Sequence, residues 1–226
     1  MVDQDPLGID FVRVGGSNIS DADTLLAPAG GAVLDLEDLR PLHDGQVLAL
    51  MTALRSHLAD DKPVLLAGRV DRISNLHRML RDQTLDGVLV RLTSGTGMTA
   101  PAALPRIGLS ARDSGVSEKP HILDIPWDAS ADDAAIAAAA GCGIIRASPF
   151  PEGEDVPSTQ KARAAAVETW LADFASTLRG RMTDLGIDAL EKLNRRHLRA
   201  LEHDTAAQSG LRLAGYDRPL PQWMGQ

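Results

Sequence analysis

The chain has 226 residues, of which 44% are hydrophobic and 24% are charged, and its formal net charge is −8. This length allows one domain with a sizeable core, or one domain with a helical appendage. The acidic balance excludes nucleic acid and anionic membranes as favoured partners, because both would repel the chain. One cysteine excludes internal disulfides and cysteine-based metal clusters.

The cellular setting is predicted from what the sequence lacks. The N-terminus is acidic and has no basic start followed by an apolar core, so it does not resemble a secretory signal. No apolar run approaches the ~20 residues that span a bilayer. The histidines are scattered without the spacing of metal ligands, which predicts no metal site. We therefore expect a cytoplasmic protein that binds neither a membrane nor a metal.

Short apolar runs alternate with helical patterns over the first two thirds of the chain. The patterns predict strands at 9–14, 32–36, 62–70, 86–92, 120–127 and 142–148, and helices at 46–58, 73–83 and 131–141. Strands separated by such helices indicate βαβ units and parallel pairing, in either an open doubly wound sheet or a barrel. The predicted fold class is α/β.

The character of the sequence changes after a proline-rich loop at 149–159. A long helix follows, with apolar residues at spacings of three and four, and Gly186 is its predicted C-terminal cap. A second helix is predicted at 187–201, and its basic stretch 192–199 is interpreted as a solvated helix face. The predicted organisation is a βα domain at 1–150 and a helical extension at 151–226.

One loop has the composition of an anion-binding turn. The stretch "RLTSGTGMTAP" at 91–101 follows the apolar run "LDGVLV". Backbone N–H groups of Ser94, Gly95, Thr96 and Gly97 could form a nest for a phosphate. Alternatively, the two glycines supply only the left-handed turn that leaves a strand.

Four other residues, one of the interpretations joining two of them as a pair, leave two readings open in each case. Arg146 could bind a phosphate or carboxylate through its forked guanidinium, or it could form an internal salt bridge. Asp124 and Asp128 could act as an acid/base pair, or such residues could cap the helix that "DASADD" introduces. Cys142 is interpreted as a small buried residue, with a reactive thiol as the alternative.

The motifs "KPVLLAGRV", "LDGVLVRLTSGTGMTAP" and "LGIDALEKLNRRHLRALEHDTAAQSGLRLAG" occur in a familiar order. From about Lys62 to Gly215 this order resembles the FMN-binding domain of glutamate synthases and their relatives. The resemblance implies the second half of a TIM-type barrel followed by carboxy-terminal helices. It also implies FMN as a cofactor, held by Ser94, Gly95, Thr96 and Gly97 together with Arg146.

The chain departs from this family at the positions that face the flavin. The stretch "VLLAG" has no lysine where the family has one, and residues 124–127 read Asp-Ile-Pro-Trp where the family has a glycine pair. Proline has no N–H to donate, and aspartate repels a phosphate. The last strand keeps Arg146 but has no glycine after it. The iron–sulfur cysteines and the nucleophilic cysteine for glutamine hydrolysis are absent.

These departures define the functional expectations. We expect a glutamate-synthase-like subunit that is degenerate in flavin binding, has no catalytic residues of its own, and supports or regulates a catalytic partner in amino-acid nitrogen metabolism. A half-length barrel would need a protein partner or a second copy to cover its edges. The alternatives are an active FMN-dependent oxidoreductase completed by a partner chain, and a sensor of a phosphorylated or carboxylate metabolite.

Overall fold

A six-stranded parallel sheet forms the centre of the protein. The computed structural model describes residues 11–39, 41–82, 85–92, 100–125, 129–146, 150 and 156–220. The strands lie side by side in chain order, and the sheet curls into a half-barrel. The strands are β1 (Phe11–Val14), β2 (Gly31–Asp35), β3 (Val64–Arg69), β4 (Gly87–Arg91), β5 (His121–Asp124) and β6 (Ile144–Arg146). The predicted α/β class and the parallel pairing are confirmed.

Eight helices occur in the described part of the chain. They are α1 (Ala22–Leu26), α2 (Asp44–Ser56), α3 (Ile73–Asp82), α4 (Ala100–Ala103), α5 (Ile107–Asp113), α6 (Ala131–Ala140), α7 (Gln160–Asp184) and α8 (His203–Ser209). Helices α2, α3, α6 and α7 lie where the apolar spacing predicts them. None of the described helices is both long and apolar enough to cross a bilayer.

The two faces of the sheet are packed differently, because successive side chains of a strand point to opposite faces. One face, with residues such as Leu34, Leu66 and Leu123, packs against the helices and forms the main core. The other face is concave and carries a smaller cluster to which none of the described helices contributes a residue. That cluster contains Val33, Leu65, Ala67, Leu89 and Ile122, with Phe11 packed against it. The inside of the half-barrel is therefore apolar at its base.

Local signals fix the limits of the two best-predicted helices. Ser130 caps α6: its hydroxyl accepts from the Asp133 N–H at 3.2 Å, and the Asp133 carboxylate accepts from the Ser130 N–H at 2.9 Å. This confirms that "DASADD" introduces a helix. Gly186 follows α7 with φ at 66°, a left-handed conformation that favours glycine and ends the helix.

The predicted second C-terminal helix at 187–201 is wrong. This stretch contains only two single 3₁₀ turns, Leu190–Lys192 and Arg195–His197. Between them Leu193 is extended, with ψ at 136°, and the Asn194 side chain accepts from the Arg196 N–H at 3.0 Å. An asparagine that caps its own turn competes with a continuous helix. The basic stretch 192–199 is consequently not a helix face.

The sequence interpretation also missed α5, although this helix is part of the core. Its Ile107 and Ala111 are buried in the main core, between the helices and the sheet. The helix has only seven residues, so its apolar period was too short to stand out from the surrounding loop. Helices α1, α4 and α8 were missed for the same reason.

Two helical glycines should respond in opposite ways to the same substitution. A Cβ on Gly108 of α5 would lie 2.7 Å from the backbone oxygen of Ala140, whereas a Cβ on Gly180 of α7 would meet nothing within 4 Å. We expect Gly108→Ala to lower the free energy of unfolding by about 1–3 kcal/mol through overpacking. Gly180→Ala should raise it by about 0.5–1 kcal/mol, because alanine is the better helix former. Urea denaturation of both variants checks this, and a stabilised Gly108→Ala protein would contradict the close approach of α5 and α6.

Candidate functional site

Charged residues collect at the carboxyl ends of the strands, on the concave face above the apolar base. Parallel α/β folds place their ligands at this edge. The register brings Arg69, Arg91, Asp124 and Arg146 into one row across β3 to β6. We call the following set the strand-end charge network: Arg13, Asp35, Glu37, Arg69, Asp71, Arg91, Asp124 and Arg146.

Asp35 is the buried centre of the network. It ends β2 and has no exposed surface. Arg91 donates to it through both terminal nitrogens, with Nη1–Oδ1 at 3.0 Å and Nη2–Oδ2 at 2.6 Å, and Arg13 forms a second ion pair. Burial raises the pKa of the Asp35 carboxyl, but the hydrogen bonds and charge of Arg91 and the charge of Arg13 outweigh this. The pKa therefore lies below its ordinary value.

Arg91 reaches Asp35 across a whole strand. Arg91 lies on β4 and Asp35 on β2, and β3 runs between them. Ala67 of β3 lies beside Asp35 in the register. Because the alanine side chain is short, the long guanidinium side chain can pass over β3 and bind the carboxylate bidentately.

The network continues to the last strand. The Arg91 Nε lies 3.7 Å from Asp124 Oδ2, and Arg146 Nη1 donates to Asp124 Oδ1 at 2.8 Å. Arg146 therefore forms the internal salt bridge that was one of its two predicted roles. The Asp124 carboxylate lies between two guanidinium groups, which is the arrangement of a structural ion pair.

A second branch of the network surrounds Arg69 at the end of β3. Its Nε donates to Asp71 Oδ1 at 3.1 Å, its Nη2 donates to Asp71 Oδ2 at 3.2 Å, and its Nη1 lies 3.6 Å from Glu37 Oε2. The exposed side chain of Arg72 also approaches Glu37, with its Nη1 at 3.8 Å from the other carboxylate oxygen, Oε1. Each arginine of the network thus has a carboxylate partner.

The described residues at this edge do not fit a flavin phosphate. A phosphate needs unpaired positive charge or available N–H groups, and it is repelled by carboxylates. The network contributes four carboxylates at the edge, and its four arginines are bound to them. The Leu92 N–H donates to the backbone carbonyl oxygen of Asp124, and the Ile125 N–H donates to the backbone carbonyl oxygen of Arg146, each at 3.2 Å. These two strand-end donors are therefore used within the sheet.

The structure places only part of the predicted phosphate site. Ser94, Gly95, Thr96 and Gly97 lie outside the described residues, as does Asp128. Their predicted contribution stays a prediction. Arg146 is placed, and it is bound to Asp124.

Cys142 occupies a buried position just before β6. It is 3% exposed and packs in the main core. Burial raises the pKa of its thiol to about 12, because an apolar environment disfavours the thiolate. Since the thiolate is the nucleophile, Cys142 is a packing residue, in agreement with the first of its two readings.

A buried histidine pair lies on the opposite, helix-covered side of the sheet. The Nε2 atoms of His77 on α3 and His121 on β5 lie 3.0 Å apart, and the His77 Nδ1 lies 2.9 Å from the Ser110 hydroxyl on α5. Burial and the neighbouring His121 lower the pKa of His77 to about 4, and burial lowers the pKa of His121. The pair therefore joins three elements as neutral rings at pH 7.

Sequence reasoning missed Arg13, Asp35 and Arg91 as one cluster. Arg91 and Asp35 are 56 positions apart, so no local motif contains both. A usable signal was nevertheless present, because several apolar strands end in a charged residue. The charge of these strand-end residues is negative at Asp35 and Asp124. It is positive at Arg69, Arg91 and Arg146.

No protein-family model matches the chain, and no curated protein sequence matches it.

Proposed function

We propose that this chain is a glutamate-synthase-like subunit that does not hold FMN itself and that supports or regulates a flavin-containing catalytic partner. The resemblance of the motif order from about Lys62 to Gly215 supports the family. The parallel half-barrel is compatible with the barrel that the resemblance implies. The strand-end charge network supports the degenerate state of the flavin site.

The single observation that carries the proposal is the pairing of Asp124 with both Arg91 and Arg146. A carboxylate at this point takes the charge that a phosphate would need. It also places a negative charge at the strand ends, which would repel a phosphate dianion there. The Asp124 side chain thus occupies the arginines that would otherwise be available to an anionic ligand at the strand ends.

The open half-barrel supports the need for a partner. Strands β1 and β6 are the edges of the described sheet, and β6 has only three residues. Ile144 of β6 is 40% exposed, and Leu171 of α7 is 51% exposed. Edges and apolar side chains of this kind are normally covered by another chain. A partner subunit or a second copy of this chain would cover them.

The first test is the flavin content of the full chain, purified from cells supplied with riboflavin. We expect a colourless protein that releases no flavin beyond traces on heat denaturation, because no phosphate-binding charge is available at the described strand ends. A flavin content near one equivalent per chain would contradict this. It would favour the alternative of an active FMN-dependent oxidoreductase, with Ser94, Gly95, Thr96 and Gly97 as the phosphate loop.

The supporting role has its own readout. The glutamate synthase-type flavoenzyme of the same cells is assayed for glutamate formation with and without the purified chain. We expect the rate or the apparent substrate affinity to change about fivefold or more, which corresponds to an ordinary coupling between subunits. An unchanged rate and affinity at saturating chain would overturn the regulatory part of the proposal.

A further inference from the structure

A cavity lies away from the strand ends, between α5, α6 and the C-terminal segment 193–219. Its volume is about 690 Å³. Part of its wall is apolar and is formed by Leu109 of α5, Ala138 of α6, Leu193 and Leu211. A volume of this size can hold a small organic molecule.

The polar part of the wall is strongly basic. Arg112, Arg195, Arg196 and Arg212 line the cavity, whereas Asp217 is the one carboxylate among its described lining residues. Arg112 lies 3.9 Å from Asp113. No described carboxylate lies within ion-pair distance of the other three arginines. This balance is the opposite of the strand-end charge network, where each arginine is matched by a carboxylate.

Arg195 has a buried side-chain nitrogen without a hydrogen-bond partner among the described residues. Its Nη2 donates to the backbone oxygen of Ser209 at 2.5 Å, which fixes the guanidinium against the C-terminal segment. Its Nε is buried and makes no hydrogen bond to the described residues. Burial lowers the pKa of Arg195, and the positive charges of Arg112 and Arg106 lower it further. A partly buried cation among other cations is unfavourable unless an anion compensates it.

We propose that this cavity binds a small organic oxyanion, a phosphate monoester or a carboxylate, with its charged group against Arg195 and Arg212 and its apolar part against Leu109 and Leu211. The anion supplies negative charge beyond that of Asp217, the one carboxylate among the described lining residues. Arginine suits this task because its planar fork matches phosphate and carboxylate geometry. The proposal concerns a surface remote from the sheet mouth and does not depend on the glutamate-synthase assignment.

The chemistry of the wall predicts which anion binds best. Inorganic phosphate satisfies the arginines alone, whereas phenyl phosphate and benzoate also cover the apolar wall. Burial of an aromatic ring adds favourable free energy, so we expect one of the two aromatic anions to bind at least about tenfold more tightly than inorganic phosphate. The preference between phenyl phosphate and benzoate identifies the charged group of the natural ligand.

The experiment is a calorimetric and thermal-shift titration of the full chain with inorganic phosphate, phenyl phosphate and benzoate, against potassium chloride at matched ionic strength. A ligand that binds only the folded state raises the unfolding temperature in a saturable manner. Arg195→Gln removes the charge and keeps an amide group near the position of the guanidinium Nε. We expect it to weaken binding about tenfold or more, and Arg212→Gln to weaken it in the same direction. Arg179→Gln, at an exposed position of α7, is the matched control and should bind like the original protein.

Two results would overturn the proposal. One is the absence of saturable binding for all three anions beyond the effect of potassium chloride. The other is binding that Arg195→Gln and Arg212→Gln leave unchanged, which would place the anion elsewhere. If Arg195→Gln does not fold, the folded Arg212→Gln protein decides the question alone. The unfolding temperature of each variant without anion is also measured, so that the loss of the Arg195–Ser209 hydrogen bond is separated from the loss of anion binding.

Discussion

Asp35→Ala should lower the free energy of unfolding by about 3–5 kcal/mol, the usual cost of removing one partner of a buried ion pair. Asp35 is fully buried, and its carboxylate is bound by Arg91 and Arg13. Its removal leaves the Arg91 guanidinium, itself only 19% exposed, without its bidentate partner. Chemical denaturation at pH 7 measures the loss. Asp173→Ala, at an exposed position of α7, is the control and should change stability by less than about 0.5 kcal/mol.

A double-mutant cycle separates the ion pair from other effects of Asp35. Asp35→Leu combined with Arg91→Met removes both charges and keeps side chains of similar length. Because an apolar replacement of a whole buried pair often costs little, the double variant should be more stable than the sum of the two single changes predicts, by about 0.5–3 kcal/mol. Strict additivity would mean that Arg91 and Asp35 do not interact as the structure shows.

The second large effect is a loss of stability in mild acid, caused by the buried His77–His121 pair. The pKa of His77 is about 4 in the folded chain and about 6.5 in the unfolded chain. Between these two pH values the His77 side chain is protonated in the unfolded state and neutral in the folded state. The stabilisation is fully present above pH ~6.5 and is lost as the pH falls towards ~4, by about 3 kcal/mol for His77 alone.

Urea denaturation at a series of pH values tests this window. His77→Gln removes the titrating ring, so its stability should change less than that of the original protein between pH ~6.5 and ~4. His57→Gln, at an exposed position, should keep the original slope. An original protein whose stability is flat through this range would contradict the buried neutral pair. Asp35 acts in a separate window: its lowered pKa gives stability that is present above pH ~3.9 and is lost in stronger acid.

The sheet could be predicted from sequence because each strand is a local signal. Runs such as 62–70 and 86–92 are apolar on both faces, and helical patterns of sufficient length separate them. The C-terminal segment could not be predicted in the same way. Asn194 ends one turn and caps the next, so a sequence with helix-like composition folds into two short turns.

The candidate site was predictable only in part, because its members come from distant strands. Arg146 and Asp124 are 22 positions apart, and their pairing depends on which strands become neighbours. Arg91 reaches Asp35 because Ala67 leaves space on the intervening strand. The arginine-lined cavity could not be predicted from the sequence for a different reason. The stretch 192–199 was interpreted as a solvated helix face, and the structure shows it instead in the wall of a cavity.

The strand-end charge network is proposed to prevent this chain from binding FMN. The most direct measurement is a titration of free FMN with the purified full chain, in which the polarisation of flavin fluorescence reports binding. We expect no saturable binding at chain concentrations up to about 1 mM, which limits the free energy of FMN binding to less than about 4 kcal/mol. A saturable, micromolar interaction with one FMN per chain would contradict this proposal and would favour the alternative of an active FMN-dependent oxidoreductase.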